Sequence, residues 1–436
     1  MQGKNSAKSS PRAPSFFGVW AKGNKSLYLY GNFAFIRGND KGRALLVKGI
    51  TCPFPRGPFD VEEEHSDLTN SSFDLHNGPL WKARLMTSPE GAPCHFPDIK
   101  AKFPYQYKLL FSLHHAANDG VVVMLVAELL PCIIDHLLQG LPVDRQQVGE
   151  LRDGVEARQE EKNIKAAFEN DETRLKTALR EYEMGKHVPL LIEAFGSPSE
   201  VQPSTFVFPA LLLDKDVMSR ITHKCRCLGI TINAFMTAII NTSMVEVVRD
   251  SGLKRNNYVI TSIHPVDCRR LMGKSLKLYL GYHGLQMTLT MATPHDVKNI
   301  FWKYAKTLDS EFRKKLKCNW FCVERVLNVM SRPKGYTHEA YHSQPIPVCY
   351  DYMFSNLYSS ENLTQGVGKF VQVTSVQNKT VIHKECFPSA YGIFGFRGKV
   401  RMEAAHSTVV VHKEVSLRCF EKCLTVIHDV SNATVY

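Results

Sequence analysis

The sequence predicts a mixed α/β protein of two lobes, and three observations carry that expectation. Tyr107, Leu109, Phe111 and Leu113 alternate with polar positions as a half-buried strand does, and a polar turn joins them to an apolar, helix-like run over 121–130. The second half repeats the scheme, with a strand-like Thr205-Phe206-Val207-Phe208 ahead of two helical patterns. Between the halves the chain turns densely charged over 150–187 and then Pro- and Gly-rich at Pro189, Gly196, Pro198 and Pro203. At 436 residues and 44 % hydrophobic content there is enough chain for two cores. The expected division is a disordered basic tail at 1–15, a first lobe at 16–195 and a second at 196–436.

The leader carries Lys4, Lys8, Arg12, Lys22, Lys25 and Arg37 before the first acidic residue, Asp40, and so holds half of the formal +12 charge. It lacks the apolar core of a secretory signal, and Pro11 and Pro14 break an amphipathic presequence helix, so a tail of a cytoplasmic protein is expected. Leu27-Tyr28-Leu29-Tyr30 and Phe33-Ala34-Phe35-Ile36 read as strands around a Gly31-Asn32 turn, followed by a Pro-rich bend at 53–58. The helix after residue 120 should stop at Pro131, too short and interrupted for a transmembrane segment. Residues 150–187 read as a surface helix or mobile crossover and 188–204 as a hinge. Helices follow at 214–228 and after Thr231, a suitable N-cap, with further strands at 257–263, 285–290 and 369–376.

Several function classes are excluded. The charge outside the leader is mild and scattered, which argues against nucleic acid and suits a phosphate-bearing small molecule. The twelve cysteines lack C-x-x-C pairs, so reduced thiols and no metal site are expected; Cys318 with Cys322, and Cys419 with Cys423, have the spacing of half-buried helix residues. Gly273-Lys274-Ser275 ends like a P-loop, but Cys268 stands where the cradle needs glycine, and there is neither a G-x-S-x-G elbow nor an H-E-x-x-H helix.

What remains is His114-His115-Ala116-Ala117-Asn118-Asp119-Gly120, on the turn between a strand and a helix, where scaffolds hold reactive side chains. This H-H-x-x-x-D-G segment resembles the signature of the acyltransferase superfamily that includes chloramphenicol acetyltransferase, condensation domains and alcohol acetyltransferases. The resemblance implies that His114, His115, Asp119 and Gly120 form the catalytic signature, with His115 as general base and Asp119 structural. Phe73-Asp74-Leu75 through Leu85 resembles the segment upstream of that site in condensation-type enzymes. His264-Pro265-Val266-Asp267-Cys268-Arg269 is similar to a segment whose arginine pairs with the motif aspartate, which makes Arg269 the partner of Asp119. Leu280-Gly281-Tyr282 resembles a Leu-Gly-Asn loop bordering the substrate, with Tyr282 in place of Asn, and makes Gly281 and Tyr282 substrate-binding candidates. Ser355-Asn356 resembles a strand whose polar side chains approach the thioester; Ser355 is expected to bind substrate and Asn356 to assist catalysis.

The resemblance spans roughly 70–400 and implies a two-lobed chloramphenicol acetyltransferase-like fold with a tunnel between the lobes. It implies transfer of an acyl group from a thioester to a small-molecule alcohol or amine; acyl-CoA, a co-substrate and not a bound cofactor, is the expected donor because the chain has no room for adenylation or carrier modules, and a monomer is expected. Residues 37–60 are short and Pro/Gly-rich for the helices usual there, so an incomplete N-terminal lobe is expected. Two alternatives stay open: a non-catalytic or truncated binding protein of the same fold, and a condensation enzyme taking its thioester from a carrier protein in trans.

Overall fold

The computed structural model describes residues 32–37, 61–74, 77, 79–87, 96–103, 105–115, 118–142, 150–151, 155–199, 204–271, 279–332, 335, 347–357, 368–377, 382 and 386–432. The expected tail, the strand at 27–30, the bend at 53–58 and the Gly273-Lys274-Ser275 segment lie outside them, as does nearly all of 37–60. In chain order the elements are β1 (Asn32–Arg37), α1 (Val61–Asn70), β2 (Trp81–Thr87), α2 (Pro97–Lys102), β3 (Tyr105–Leu113), α3 (Gly120–Leu138), β4 (Glu150–Leu151), α4 (Val155–Asn170), α5 (Glu172–Met184) and α6 (Leu190–Phe195). Then come β5 (Thr205–Val207), β6 (Leu211–Leu213), α7 (Lys215–Leu228), α8 (Ile232–Asp250), β7 (Asn257–Asp267), β8 (Tyr279–Leu280), β9 (Gly284–Pro294), α9 (Phe301–Lys317), α10 (Trp320–Met330), β10 (Tyr352–Leu357), β11 (Val371–Gln377), β12 (Ser389–Phe396), β13 (Lys399–Ser407) and α11 (Lys413–Asn432).

The first sheet has the order β11-β1-β3-β2, antiparallel throughout, with Phe33 opposite both Leu109 and Val376. Its core joins Leu109, Ala127, Val371 and Val373 to Phe394 and Phe396 of the second sheet. That second sheet runs β5-β13-β12-β10-β7-β9, with β6 also on β13, and β10 is parallel to both of its neighbours. One face packs on helices: Tyr352, Phe354, Tyr391, Ile393, Met402 and Leu289 share a core with α8, α9 and α11, and α8 is buried along nearly its whole length. Strand periodicity turns Met353, Ser355, Leu357, Ala390, Gly392 and Ala405 to the opposite, inner face.

Four expectations change. Helix α3 does not end at Pro131 but runs through it to Leu138, and by length and composition it is long and apolar enough to cross a membrane. Proline costs it one hydrogen bond. Contacts on both sides of the break hold the helix. Val122 and Ala127 are buried, and the Asp135 carboxylate accepts the backbone N–H groups of Lys369, Phe370 and Val371 at 3.1, 2.6 and 2.9 Å. Second, of the two readings of 150–187 the surface helix is the one that forms, as α4 and α5, and not a mobile crossover: Ile164, Phe168, Ala178 and Tyr182 make apolar stripes that pack into the second lobe's core. Third, 188–204 is no free hinge over its described part, because Leu190 and Leu191 are buried and Leu190 N–H donates to the buried Asp351 carboxylate at 2.7 Å. Fourth, β11 belongs by sequence to the second lobe and by pairing to the first sheet.

Candidate active site

Strand β3 and helix α3 are joined by a loop whose backbone is stapled from within. His114 N–H donates to Leu80 O at 2.8 Å, and the buried Asn118 donates its Nδ2 to His114 O at 2.8 Å. His115 Nδ1 lies 2.8 Å from Asn118 O. A carbonyl can only accept, so Nδ1 carries the proton and the lone pair sits on Nε2. Asp119, in extended backbone, caps α3: its Oδ1 accepts Val121 N–H at 3.1 Å and Val122 N–H at 3.2 Å. Gly120 opens the helix where a Cβ would stand 2.9 Å from Leu357 Cδ2, so the missing side chain lets the end of β10 approach the motif.

The predicted pair forms. Arg269, in the 3-10 turn after β7, donates Nη1 to Asp119 Oδ2 at 2.7 Å and Nη2 to Asp119 Oδ1 at 3.3 Å, a two-pronged contact with both side chains largely buried. The same guanidinium holds Asp267 Oδ1 at 3.1 Å and Gly281 O at 3.3 Å. His283 N–H adds a bond to Asp119 Oδ2 at 2.9 Å. Asp119 is thus the joint between the helix start and the 280–283 loop. That loop is fixed at its other end by the pairing of Tyr279 with Glu150 and Leu280 with Leu151. Gly281 sits at φ +106°, a backbone state that a side chain would strain. Tyr282, half exposed, then lays its ring edge-on to His115, centroids 5.1 Å apart.

Burial, and then the neighbouring His115, lower the pKa of His114; its ring packs edge-on against Phe73 at 5.5 Å. Ser355 is half-buried and Asn356 exposed on β10, next to Leu357 and its contact with Gly120. The candidates His114, His115, Asp119, Gly120, Arg269, Gly281 and Tyr282 therefore meet in one place; Ser355 lies on the same face of β10 as Leu357, and Asn356 is turned to the opposite face of the strand. Sequence reasoning missed Asn118 and His283. Asn118 occupies a variable position of the motif, and His283 reaches Asp119 through its backbone N–H, so the motif's spacing points to neither. His283 Nε2 also bonds Leu280 O at 3.0 Å and closes the loop. Among the described residues no group of three or more His, Cys, Asp or Glu could hold a metal ion, and the described cysteines are free thiols. Of the cysteine pairs, Cys322, Cys419 and Cys423 are fully buried, not half-buried, and Cys318 is exposed at the end of α9.

No sequence-family model matches the chain, and no curated protein matches it. Solved structures do. The X-domain from teicoplanin biosynthesis superposes with a TM-score of 0.57 at 11 % identity, covering 94 % of this chain and 91 % of that one. A trichothecene 15-O-acetyltransferase from Fusarium sporotrichioides gives 0.53 at 13 % identity over 84 % of this chain and 73 % of its own. The condensation domain of the monacolin K polyketide synthase gives 0.52 at 14 % identity over 85 % and 76 %. Identities this low speak for architecture alone, and with the two sheets in place they identify it: the chain has the chloramphenicol acetyltransferase-like fold of condensation domains and acyltransferases.

Proposed function

We propose that this protein is an acyltransferase that moves an acyl group from a thioester, acyl-CoA in the first instance, to the hydroxyl or amine of a small acceptor. The observation that carries the reading is the state of His115: Nδ1–H is committed to Asn118 O, which leaves a basic Nε2 on a loop held by the Asp119–Arg269 pair. A neutral imidazole is a suitable base near pH 7. Nε2 takes the acceptor's proton as its oxygen or nitrogen attacks the thioester carbonyl. The tetrahedral species collapses, the C–S bond breaks, and the thiolate recovers the proton from His115. No covalent enzyme intermediate is needed. The hydroxyl of Ser355, on the same face of β10 as Leu357, is assigned to the oxygen of the tetrahedral species, where a fixed donor has most effect, whereas Asn356 is turned to the other face of the strand. Tyr282 and Gly281 line the acceptor's approach. The sequence resemblance and the names of the structural neighbours support transfer of acyl groups, and coenzyme A is preferred to a carrier protein as the simplest diffusible donor.

The test is thiol release from a panel of acyl-CoAs with mixed alcohols and amines, for wild type and His115→Ala. Acceptor-dependent release that the substitution abolishes, with an unchanged melting temperature, is the expected result. Equal release by both proteins would overturn the assignment of His115 and favour a binding protein of the same fold.

A further inference from the structure

His115 has a second support, on the side of the 280–284 loop. The bond from Nδ1 to Asn118 O fixes one atom of the imidazole, and a ring held at one atom can still swing about that bond and carry Nε2 off its aim. The Tyr282 ring stands in the way of that swing, at 82° to the imidazole with the centroids 5.1 Å apart. It is itself backed. A Cβ built on Gly284 would stand 3.2 Å from Tyr282 Cζ, 3.2 Å from its hydroxyl oxygen and 3.3 Å from Cε2. Near-equal distances to one ring atom and two of its bonded neighbours place Gly284 over the face of the ring, because an approach in the ring plane would bring the neighbours clearly nearer than Cζ. Gly284 opens β9 in ordinary pairing with Asp267 and has no positive φ, so its missing side chain makes room for the ring and answers no demand of the backbone. On either side of Tyr282 the loop is pinned: Gly281 O accepts Arg269 Nη2, and His283 N–H donates to Asp119 Oδ2. Both supports of His115 thus lead back to Asp119, one through the motif's own turn and one through this loop.

We propose that Tyr282, backed by Gly284, is a positioning residue: its ring keeps the His115 imidazole in the one orientation that leaves Nδ1–H on Asn118 O and Nε2 aimed at the acceptor. The inference rests on the acyltransferase reading for the reaction that this orientation serves. The role belongs to the ring and not to its hydroxyl, since a phenyl group at 282 blocks the same swing and a methyl group does not. An imidazole that leaves Asn118 O can carry its proton on Nε2 instead, and an Nε2–H cannot accept the acceptor's proton. Removing the ring therefore takes its toll on kcat, the step that needs the base, more than on KM.

The experiment compares wild type, Tyr282→Ala, Tyr282→Phe, Gly284→Ala and the Tyr282→Ala/Gly284→Ala double variant by two readouts. The first is the NMR spectrum of the His115 ring without any substrate, its signals assigned by their absence from His115→Ala. Wild type should show the Nδ1–H tautomer by its nitrogen shifts and ring protons displaced by the Tyr282 ring current; Tyr282→Ala should lose the displacement and mix the tautomers, and Tyr282→Phe should keep both. The second is kcat and KM with the acyl-CoA and acceptor that wild type turns over fastest. Tyr282→Ala should lower kcat by about 10- to 100-fold with KM within about threefold, and Tyr282→Phe should recover most of the loss. Gly284→Ala, whose Cβ pushes the ring by a few tenths of an ångström, should lower kcat about threefold, and in the double variant it should cost nothing beyond Tyr282→Ala alone. A His115 spectrum unchanged in Tyr282→Ala, a loss confined to KM, no rescue by phenylalanine, or a Gly284→Ala effect that persists without the ring would each overturn the proposal. The spectrum needs no turnover, so a wild type that transfers nothing sinks the acyltransferase reading while the tautomer and ring-current shifts still decide whether Tyr282 holds His115.

Discussion

Asp119→Ala tests whether one carboxylate joins helix α3 to the 280–283 loop. The substitution deletes two capping bonds to Val121 and Val122, two bonds from Arg269 and one from His283 N–H. A lost cap alone costs about 1 kcal/mol. Removing one partner of a buried ion pair costs about 3–5 kcal/mol. Arg269 keeps Asp267 and Gly281 O, which holds the second figure to its lower end, and because all these bonds share one carboxylate the two do not simply add. A total of about 4 kcal/mol lowers the melting temperature of a cooperative unit of 150–250 residues by about 10 °C. Asp119→Asn should recover the cap but not the charge and melt in between. Calorimetric melts of Asp119→Ala, Arg269→Met and the double variant close a cycle, in which the double variant should cost clearly less than the sum of the singles. An Asp119→Ala protein that melts within about 2 °C of wild type, or strict additivity in the cycle, would refute the argument.

Three further outcomes follow from other buried groups. Burial pushes the Glu324 carboxyl from 4.5 up to about 7, although Thr288 N–H at 2.9 Å and Trp320 Nε1–H at 2.7 Å both donate to it. A carboxyl with a raised folded pKa gives stability that is complete below 4.5 and lost as pH rises through about 7, up to about 3 kcal/mol. Glu324→Gln should therefore gain on wild type in melting temperature between pH 5 and pH 8, and a constant difference would contradict this. Burial pushes His264 down to about 3, so its contribution is present above 6.5 and is lost as pH falls from there toward 3; His264→Gln should flatten the acid limb of a stability profile, and an unaltered limb would count against it. Asp135→Ala strips the acceptor from the amides of residues 369–371 and should speed hydrogen exchange along β11 before the second sheet is affected. Unchanged protection there would show that the carboxylate does not anchor the strand.

Much of this was legible in the chain. The strand at 107–113, the helix at 214–228 and the Thr231 cap follow from periodicity and capping chemistry, and the cap forms, with Ala234 N–H 3.2 Å from Thr231 Oγ1. The Arg269–Asp119 pair came from resemblance, since nothing local says that residues 150 apart will meet. The end of α3 was misjudged because Pro131 carries a strong local signal, while the opposing signal, Asp135 receiving the backbone of residues 369–371, is a long-range contact. The packing of α4 and α5 is hidden for a related reason: dense charge on both helices masks the stripe of Ile164, Phe168, Ala178 and Tyr182. Asn118, through its carbonyl and its Nδ2, and His283, through its backbone N–H, support the site by bonds that each involve a main-chain group, and which groups meet is not encoded in local sequence.

The placement of β11 has a bearing on how the molecule is made. On the ribosome, β1, β2 and β3 emerge long before residues 371–377, and until then the β1 edge that will receive β11 has no strand to pair with. The first sheet therefore closes only after most of the second lobe has been synthesised, and the apolar α3 waits with it for the amides that Asp135 binds. A fragment ending near 195 would carry that open edge permanently, together with α4 and α5 helices cut off from their core. Such a piece should aggregate instead of folding, whereas a chain divided in an exposed loop beyond residue 377 would keep the first sheet whole.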